Sequence, residues 1–418
     1  MLLTSDTYSY RDGALHCEDV ALDEIARRVG TPCYVYSSRA VLSRFRAYDA
    51  ALEGMPHLIS YAVKANSNLS LLRLLAGAGS GFDIVSGGEL YRVVQAGGDP
   101  SRVVFSGVGK TPQEIEYGLK SGIHAFHCES EGEVALIASL AARLGKQARV
   151  ALRVNPDVDA GTHPYISTGL REHKFGIDMA EAEAIYKKAS ESQHLAMEGV
   201  SCHIGSQILD MDALLEALDR LLELAARLRK AGLPIRHLDL GGGLGIPYKP
   251  SDQAPNIAEF AARVRQRMAG AGLLLILEPG RSIVGDAGVL LTRVLYRKTG
   301  ASREFIIVDA AMNDLLRPSL YQSHHEILAL REAPRGTVRA DVVGPVCESG
   351  DFLALDREMP NALPGDLLAV WTAGAYGFVL SSNYNSRPRP PEVLVEGGSW
   401  RIVRARETYE DLVRGEQP

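Results

Sequence analysis

From about residue 55 to residue 280, short apolar runs alternate with longer amphipathic stretches. Eight runs stand out: Leu58 to Val63, Phe82 to Val85, Val103 to Phe105, Ile123 to Phe126, Ala148 to Val154, Gly199 to His203, His237 to Leu240 and Leu273 to Leu277. Near-continuous apolar runs suit strands covered on both faces, as in a parallel sheet. Between them, Glu131 to Leu144 carries Val134, Ile137, Leu140 and Leu144 at helical spacing, and Met211 to Leu228 repeats the pattern. Eight strands alternating with helices predict a closed (β/α)8 barrel of the TIM type rather than an open sheet. After residue 281 the pattern changes. Gly288 to Tyr296, Glu304 to Val308, Thr337 to Val343, Asp366 to Val370 and Glu392 to Val395 read as strands divided by Gly/Pro turns, with few helical stretches. This predicts a C-terminal β-sandwich or β-barrel domain that takes in an N-terminal strand. The expected boundaries are 35–281 for the barrel, and 1–34 with 282–418 for the β domain.

Composition leaves this picture intact. Of 418 residues, 46% are hydrophobic and 23% charged, enough to bury a large core. A net charge of -6 without a basic stripe argues against nucleic acid as a partner. The first residues lack the basic and apolar regions of a signal peptide, and no apolar run is long enough to span a membrane. The five cysteines are widely spaced, with no CxxC pair, so neither a zinc ribbon nor a disulfide framework is expected. A cytoplasmic setting is the simplest expectation. Two histidine clusters, His124 with His127 and Cys128, and His324 with His325 and Glu326, resemble metal sites only superficially, and no metal is expected.

Active-site groups of such a barrel sit at the C-terminal ends of its strands. Run one ends at Lys64, run six at His203, run seven in Asp239 to Gly245 and run eight in Glu278-Pro279-Gly280-Arg281. Each has a plain structural alternative. A strand-end lysine can snorkel at the surface, whereas a desolvated one forms Schiff bases with carbonyl cofactors. The glycine turn Gly241 to Gly245 is either a tight turn needing positive φ or a place where backbone N–H groups meet a phosphate. Pro247 and Pro250 follow it, which argues against the dinucleotide fingerprint. Glu278 ends an apolar run and needs a partner, either a barrel arginine or the pyridinium nitrogen of a cofactor. His203 is either a core histidine or a ring stacked on a cofactor.

Taken together, the motifs carry a resemblance. Tyr61-Ala62-Val63-Lys64-Ala65-Asn66, Phe82 to Leu90, His163 to Gly169, His203-Ile204-Gly205-Ser206-Gln207, Asp239 to Gly245 and Glu278 to Arg281 are similar to the diaminopimelate decarboxylases, which are fold type III pyridoxal phosphate enzymes. Met312 to Pro318, Gly344-Pro345-Val346-Cys347-Glu348-Ser349 and Gly374-Ala375-Tyr376-Gly377 extend the likeness, unbroken in order, from about residue 10 to 410. The resemblance implies decarboxylation of meso-2,6-diaminopimelate to L-lysine and carbon dioxide, the last step of lysine biosynthesis by that route, with pyridoxal 5'-phosphate as cofactor.

The resemblance also implies roles. Lys64 binds the cofactor as a Schiff base, and His203 stacks on its ring. Gly243 and the backbone from Glu278 through Pro279 and Gly280 to Arg281 hold its phosphate, while the Glu278 carboxylate faces its ring nitrogen. Arg281, Arg317 and Tyr321 grip the distal carboxylate of the substrate. Cys347 protonates the carbanion carbon, Glu348 contacts the substrate, and Tyr376 contacts both cofactor and substrate. Cys347 and Glu348 come from the second subunit of a homodimer. Read without the resemblance, Cys347 would be inert packing. His173 and His324 depart from the family pattern. Residues 163 to 174, rich in Gly and polar groups, are a candidate lid. Rival readings are decarboxylation of ornithine, arginine or carboxynorspermidine, an amino acid racemase, and a non-catalytic cofactor carrier. Arg317 argues against the first, because a monocarboxylate substrate offers it no distal partner. Cys347 and Glu348 argue against the second, and the β domain against the third.

Overall fold

The computed structural model describes residues 7–159, 174–301 and 303–417. Residues 163 to 173 of the candidate lid, His173 among them, lie outside the described residues. The chain divides into two compact units. One comprises Ser43–Ile246 and Gln253–Ser282; the other comprises Met1–Leu42, Pro247–Asp252 and Ile283–Pro418.

In the first unit all eight apolar runs become strands: β1 (His57–Ala62), β2 (Gly81–Ile84), β3 (Val103–Phe105), β4 (Ala125–Cys128), β5 (Ala148–Asn155), β6 (Leu195–Ser201), β7 (His237–Asp239) and β8 (Leu274–Leu277). Each pairs in parallel with the next. β8 pairs with β1 and β4 with β5, so the sheet closes into an eight-stranded barrel. β2, β3, β4 and β7 are buried along their whole length, including Asp83, His127, His237 and Asp239 among their apolar residues. A short strand, Ile177–Asp178, extends the end of β5.

Capping chemistry fixes where several helices begin, and so where the strands release their last residues to the rim. Ser86 caps Gly87–Gln95, Thr111 forms a capping box with Glu114 on Pro112–Ser121, and Ser130 caps Glu131–Arg143. Glu114 does more than close its own box. One carboxylate oxygen accepts from the Thr111 N–H at 3.0 Å and the other from the Gly87 N–H at 2.8 Å, tying the starts of two successive helices. The expected helices over 131–144 and 211–228 are found as Glu131–Arg143 and Met211–Lys230.

Two strand ends differ from the expectation. β1 stops at Ala62, and Lys64 sits in a 3-10 turn, Val63–Ala65. The turn keeps Val63 and Ala65 buried while Lys64 stays partly open. β6 stops at Ser201, so His203 lies in the loop beyond it.

The second unit is β-rich. Its main sheet runs in the order Phe352–Pro360, Thr337–Val343, Glu304–Val308, Gly288–Thr299, Cys33–Ser37, Glu392–Glu396, Ser399–Arg404. Leu367–Val370 pairs with both Gly288–Thr299 and Ile327–Ala329. The expected N-terminal contribution is Cys33–Ser37, antiparallel to Gly288–Thr299 and parallel to Glu392–Glu396. A separate antiparallel sheet, Tyr8–Arg11, Ala14–Cys17 and Val20–Ala21, was not foreseen. Tyr8, Leu15, Leu22, Val35, Leu291 and Trp371 share one buried core in this unit.

Candidate active site

At the C-terminal rim of the barrel lies a cavity of about 320 Å³, lined by Lys64, Val85, Ser106, Gly107, His127, Arg153, Phe175, Ser201, Cys202, His203 and Glu278. Its position is the one from which barrels of this class act, and its volume suits a small organic ligand. It brings together Lys64, His203 and Glu278, three of the groups expected from sequence. Lys64 Nζ donates to Asp83 Oδ2 at 2.7 Å. The lysine side chain is 33% exposed and the aspartate fully buried, so the amine is held at the cavity wall by an acid that water does not reach. A snorkelling surface lysine would have no such partner.

Glu278 is buried. The alternative of an ion pair with a barrel arginine is not what the site contains: Arg153 Nη1 bonds Glu129 Oε1 at 2.9 Å, and the Arg153 guanidinium lies 4.9 Å from the centre of the Phe175 ring. The neighbours of Glu278 are Ser106 Oγ at 3.4 Å, His127 Nδ1 at 3.6 Å and the Asp239 carboxyl. Burial first, and then the nearby Asp83 charge, push its carboxyl up to about 8. Asp239 is fully buried and is raised too, by burial and then by Glu278. Among the described residues no cation is in salt-bridge contact with Glu278, and the nearest positive charges, Lys64 and Arg153, are each bonded to another acid. The protonated ring nitrogen of a pyridine cofactor would supply that contact, so the residues present fit such a group.

His203 sits between the cavity and the glycine turn. The Gly242 N–H donates to its Nδ1 at 3.3 Å, which places the ring proton on Nε2. Burial, then the Lys64 and Arg153 charges, hold its pKa well below the usual value, so the ring is neutral. The glycine turn is tight. Gly241 and Gly243 have φ of 72° and 109°, and a Cβ on Gly242 would lie 2.2 Å from the Glu278 carbonyl oxygen. Among the described residues the next helix after the turn is Ile257–Met268, so the dinucleotide fingerprint is absent. Beyond β8, a Cβ on Gly280 would meet the Ala62 and Ala65 methyls at 3.0 Å, and Arg281 donates to Ser206 Oγ at 3.0 Å.

The remaining expected residues, Arg317, Tyr321, Cys347, Glu348 and Tyr376, belong to the second unit. Arg317 and Tyr321 lie on one short helix, Arg317–Tyr321. The Arg317 guanidinium is buried, stacks 4.5 Å from the centre of the Tyr248 ring and donates to His325 Nε2 at 3.1 Å and Ser323 Oγ at 3.2 Å. His325 Nδ1 bonds the Trp371 carbonyl at 2.8 Å, so it must donate there, which leaves Nε2 free to accept from the arginine. The histidine-rich run read as a false metal site thus holds an arginine in place. Cys347 is exposed rather than packed, and its N–H donates to Asn385 Oδ1 at 2.7 Å. Glu348 accepts from the Tyr384 hydroxyl at 3.3 Å.

Sequence reasoning assigned no role to Asp83, Ser106, His127, Arg153, Asp239 or His325. Three of them carried a signal: Asp83, Arg153 and Asp239 are charges embedded in apolar strands, where an ion is costly unless something binds it.

Comparison with known proteins agrees with the geometry. Residues 38–285 match the family described as pyridoxal-dependent decarboxylase, pyridoxal binding domain. The diaminopimelate decarboxylase of Pseudomonas aeruginosa is 56% identical over 98% of this chain and 99% of its own length. That of Aquifex aeolicus is 50% identical over 97% and 96%. Among solved structures, diaminopimelate decarboxylase from M. jannaschii in complex with L-lysine aligns with a TM-score of 0.95 at 37% identity, covering 100% of this chain and 99% of that one. The Helicobacter pylori enzyme, also complexed with L-lysine, aligns at 0.91 and 44%, covering 94% and 98%. With a lysine and a buried acid on one barrel cavity, and this likeness along nearly its whole length, the chain belongs to the diaminopimelate decarboxylase family of pyridoxal-dependent decarboxylases.

Proposed function

We propose that the protein decarboxylates meso-2,6-diaminopimelate to L-lysine and carbon dioxide, with pyridoxal 5'-phosphate bound in the barrel cavity. The observation that carries this reading is the single cavity whose wall holds both Lys64 and Glu278. The cofactor, when bound, supplies an aldehyde for amines and a ring that accepts the electron pair left by carbon dioxide.

The chain's own residues do the rest. Lys64 presents its amine from the cavity wall, with Asp83 fixing its direction. Glu278 faces the ring nitrogen and keeps it protonated, so that the ring remains an electron sink. Neutral His203 offers a flat face for the ring. The turn through Gly243, with Pro279, Gly280 and Arg281, offers close-approaching backbone and a guanidinium for the phosphate.

In the second unit, Arg317 suits the carboxylate at the unreacted end of the substrate, because a guanidinium fork matches a carboxylate and its neighbours have already fixed its plane. Tyr321 and Arg281 assist it, and Tyr376 contacts cofactor and substrate. Cys347 delivers a proton to the carbon that lost carbon dioxide, and Glu348 binds the distal ammonium. We assign Cys347 and Glu348 to the site of a partner subunit, in a homodimer. Their exposure on the isolated chain supports this.

The test is carbon dioxide release from meso-diaminopimelate by purified protein with added cofactor, run beside ornithine and arginine. Release from diaminopimelate alone is expected. No release, or faster release from the monocarboxylates, overturns the reading.

A further inference from the structure

Along the cavity wall, Glu278, Ser106 and His127 stand in a file with Asp239 behind them. Asp239 Oδ1 accepts the Gly241 N–H at 2.7 Å, and its other oxygen lies 3.7 Å from His127 Nε2. His127 Nδ1 lies 3.3 Å from Ser106 Oγ, and Ser106 Oγ lies 3.4 Å from Glu278 Oε1. Asp239, His127, Ser106 and Glu278 are all buried. At 3.7 Å, Asp239 Oδ2 and His127 Nε2 are not hydrogen-bonded, neither has a hydrogen-bond partner within 3.5 Å among the described residues, and the Asp239 carboxyl also interacts directly with that of Glu278. A buried polar pair is costly unless its members satisfy each other, so these two atoms need one proton between them.

One arrangement of protons runs every link toward Glu278, leaves it ionised and puts no second charge in the file. Asp239 carries the proton on Oδ2 and donates to His127 Nε2. His127 then has its own proton on Nδ1 and donates to Ser106 Oγ. The Ser106 hydroxyl donates to Glu278 Oε1. Each group is neutral except the last, and every donor points toward Glu278. Burial favours a neutral Asp239 and a neutral His127, since it raises the first and lowers the second, but it also raises Glu278, so the Glu278 anion depends on the donors and cations around it. The same cluster is crossed by other charges: Lys64 and Arg153 favour the Glu278 anion, while Asp83 opposes it. His237 and Lys110 further disfavour a charged His127.

We propose that Asp239, His127 and Ser106 form a one-way donor relay that holds the Glu278 carboxylate ionised and aimed, and thereby sets the protonation of the cofactor's ring nitrogen. None of the three touches the reacting atoms, so they are positioning residues. The inference rests on the reading that Glu278 faces that nitrogen.

The test uses holoenzyme loaded with cofactor labelled with nitrogen-15 in the ring, whose chemical shift reports the ring proton directly. His127→Phe removes both links of the imidazole and keeps an aromatic ring in place, while Ser106→Ala removes one link with the smallest change of volume. Glu278→Gln serves as reference. Each relay variant is expected to move the ring nitrogen signal part of the way toward that of Glu278→Gln. Each should lower kcat by roughly ten- to a hundredfold, the size of a lost hydrogen bond to a charged group, with KM little changed. The pH at which the ring nitrogen titrates should fall in both. If His127→Phe does not load cofactor, Ser106→Ala carries the test alone. An unchanged nitrogen signal in the relay variants, with Glu278→Gln shifted, overturns the relay and leaves the Glu278 reading standing. An unchanged signal in Glu278→Gln as well overturns both.

Discussion

At the scale of single residues, burial decides the chemistry. Lys64 is useful because its partner Asp83 is inaccessible, and Glu278 because burial outweighs the Lys64 and Arg153 charges near it. Lys64→Ala should abolish turnover and remove the visible absorbance of bound cofactor from the purified protein. Arg317→Ala should cost ~10–100-fold in kcat/KM for diaminopimelate, as expected for a lost charge-assisted pair, chiefly through KM. His325→Phe, which leaves the guanidinium in place without its acceptor, should cost less.

The raised carboxyls also predict how stability depends on pH. In the cofactor-free protein Glu278 is pushed from 4.5 up to about 8, and Asp314, also by burial, from 3.8 up to about 7. Between the ordinary and the raised values the folded chain holds protons that the unfolded chain releases. The contribution of these two groups is therefore fully present below about pH 4 and lost as pH rises toward 8. The melting temperature of the cofactor-free protein should fall across that range, and Glu278→Gln should make the fall shallower. A melting temperature that climbs with pH there in the wild type, and equally in the variant, would contradict the assignment.

At the scale of elements, the barrel was legible because its strands bury both faces, which leaves an unbroken apolar signature. All eight runs became strands, and four of the five runs foreseen in the second unit hold their expected first residue. The missed strands have a different character. Phe352–Pro360 exposes Leu355 and carries Asp356, Arg357 and Glu358, and Ser399–Arg404 is largely exposed. Strands covered on one side only show an alternation that short lengths cannot carry. The 3-10 turn under Lys64 was equally invisible, since Val63 continues the apolar run and nothing before Lys64 breaks the pattern. The glycine turn after β7 was read as a phosphate cradle or a tight turn. Its backbone satisfies the second reading outright, with a carbonyl only 2.2 Å from where a Gly242 side chain would begin. Gly242→Ala should therefore destabilise the protein by about 1–3 kcal/mol, the usual range for overpacking, and weaken cofactor binding. A thermal melt and a cofactor titration would check the two effects together.

At the scale of the whole molecule, the candidate groups were legible as a set, although their supports were not. Motif spacing marked Lys64, His203, Glu278, Arg317 and Cys347. It gave no hint that Asp83, Arg153 or His325 would hold them, because those contacts depend on how separate strands and loops meet in space rather than on a local motif. The proposed sharing of sites between subunits predicts complementation. Lys64→Ala and Cys347→Ala homodimers should each be inactive. Random reassortment should regenerate about a quarter of wild-type activity, since half the dimers are mixed and each mixed dimer has one intact site of two. Mixtures that stay inactive after demonstrated subunit exchange would refute the shared arrangement.

The cysteines have a consequence of their own. Cys17, Cys33, Cys128 and Cys202 are buried, and burial pushes all four thiols up, out of the range where they ionise. Cys347 alone is exposed. Attack on an electrophile requires a thiolate that the reagent can reach, so the native chain should behave as a monothiol. A chromogenic disulfide should count one sulfur per chain before denaturation and five after it. Because that one sulfur is also the proposed proton donor, mild oxidants should silence the enzyme in step with its labelling, and a reductant should restore it.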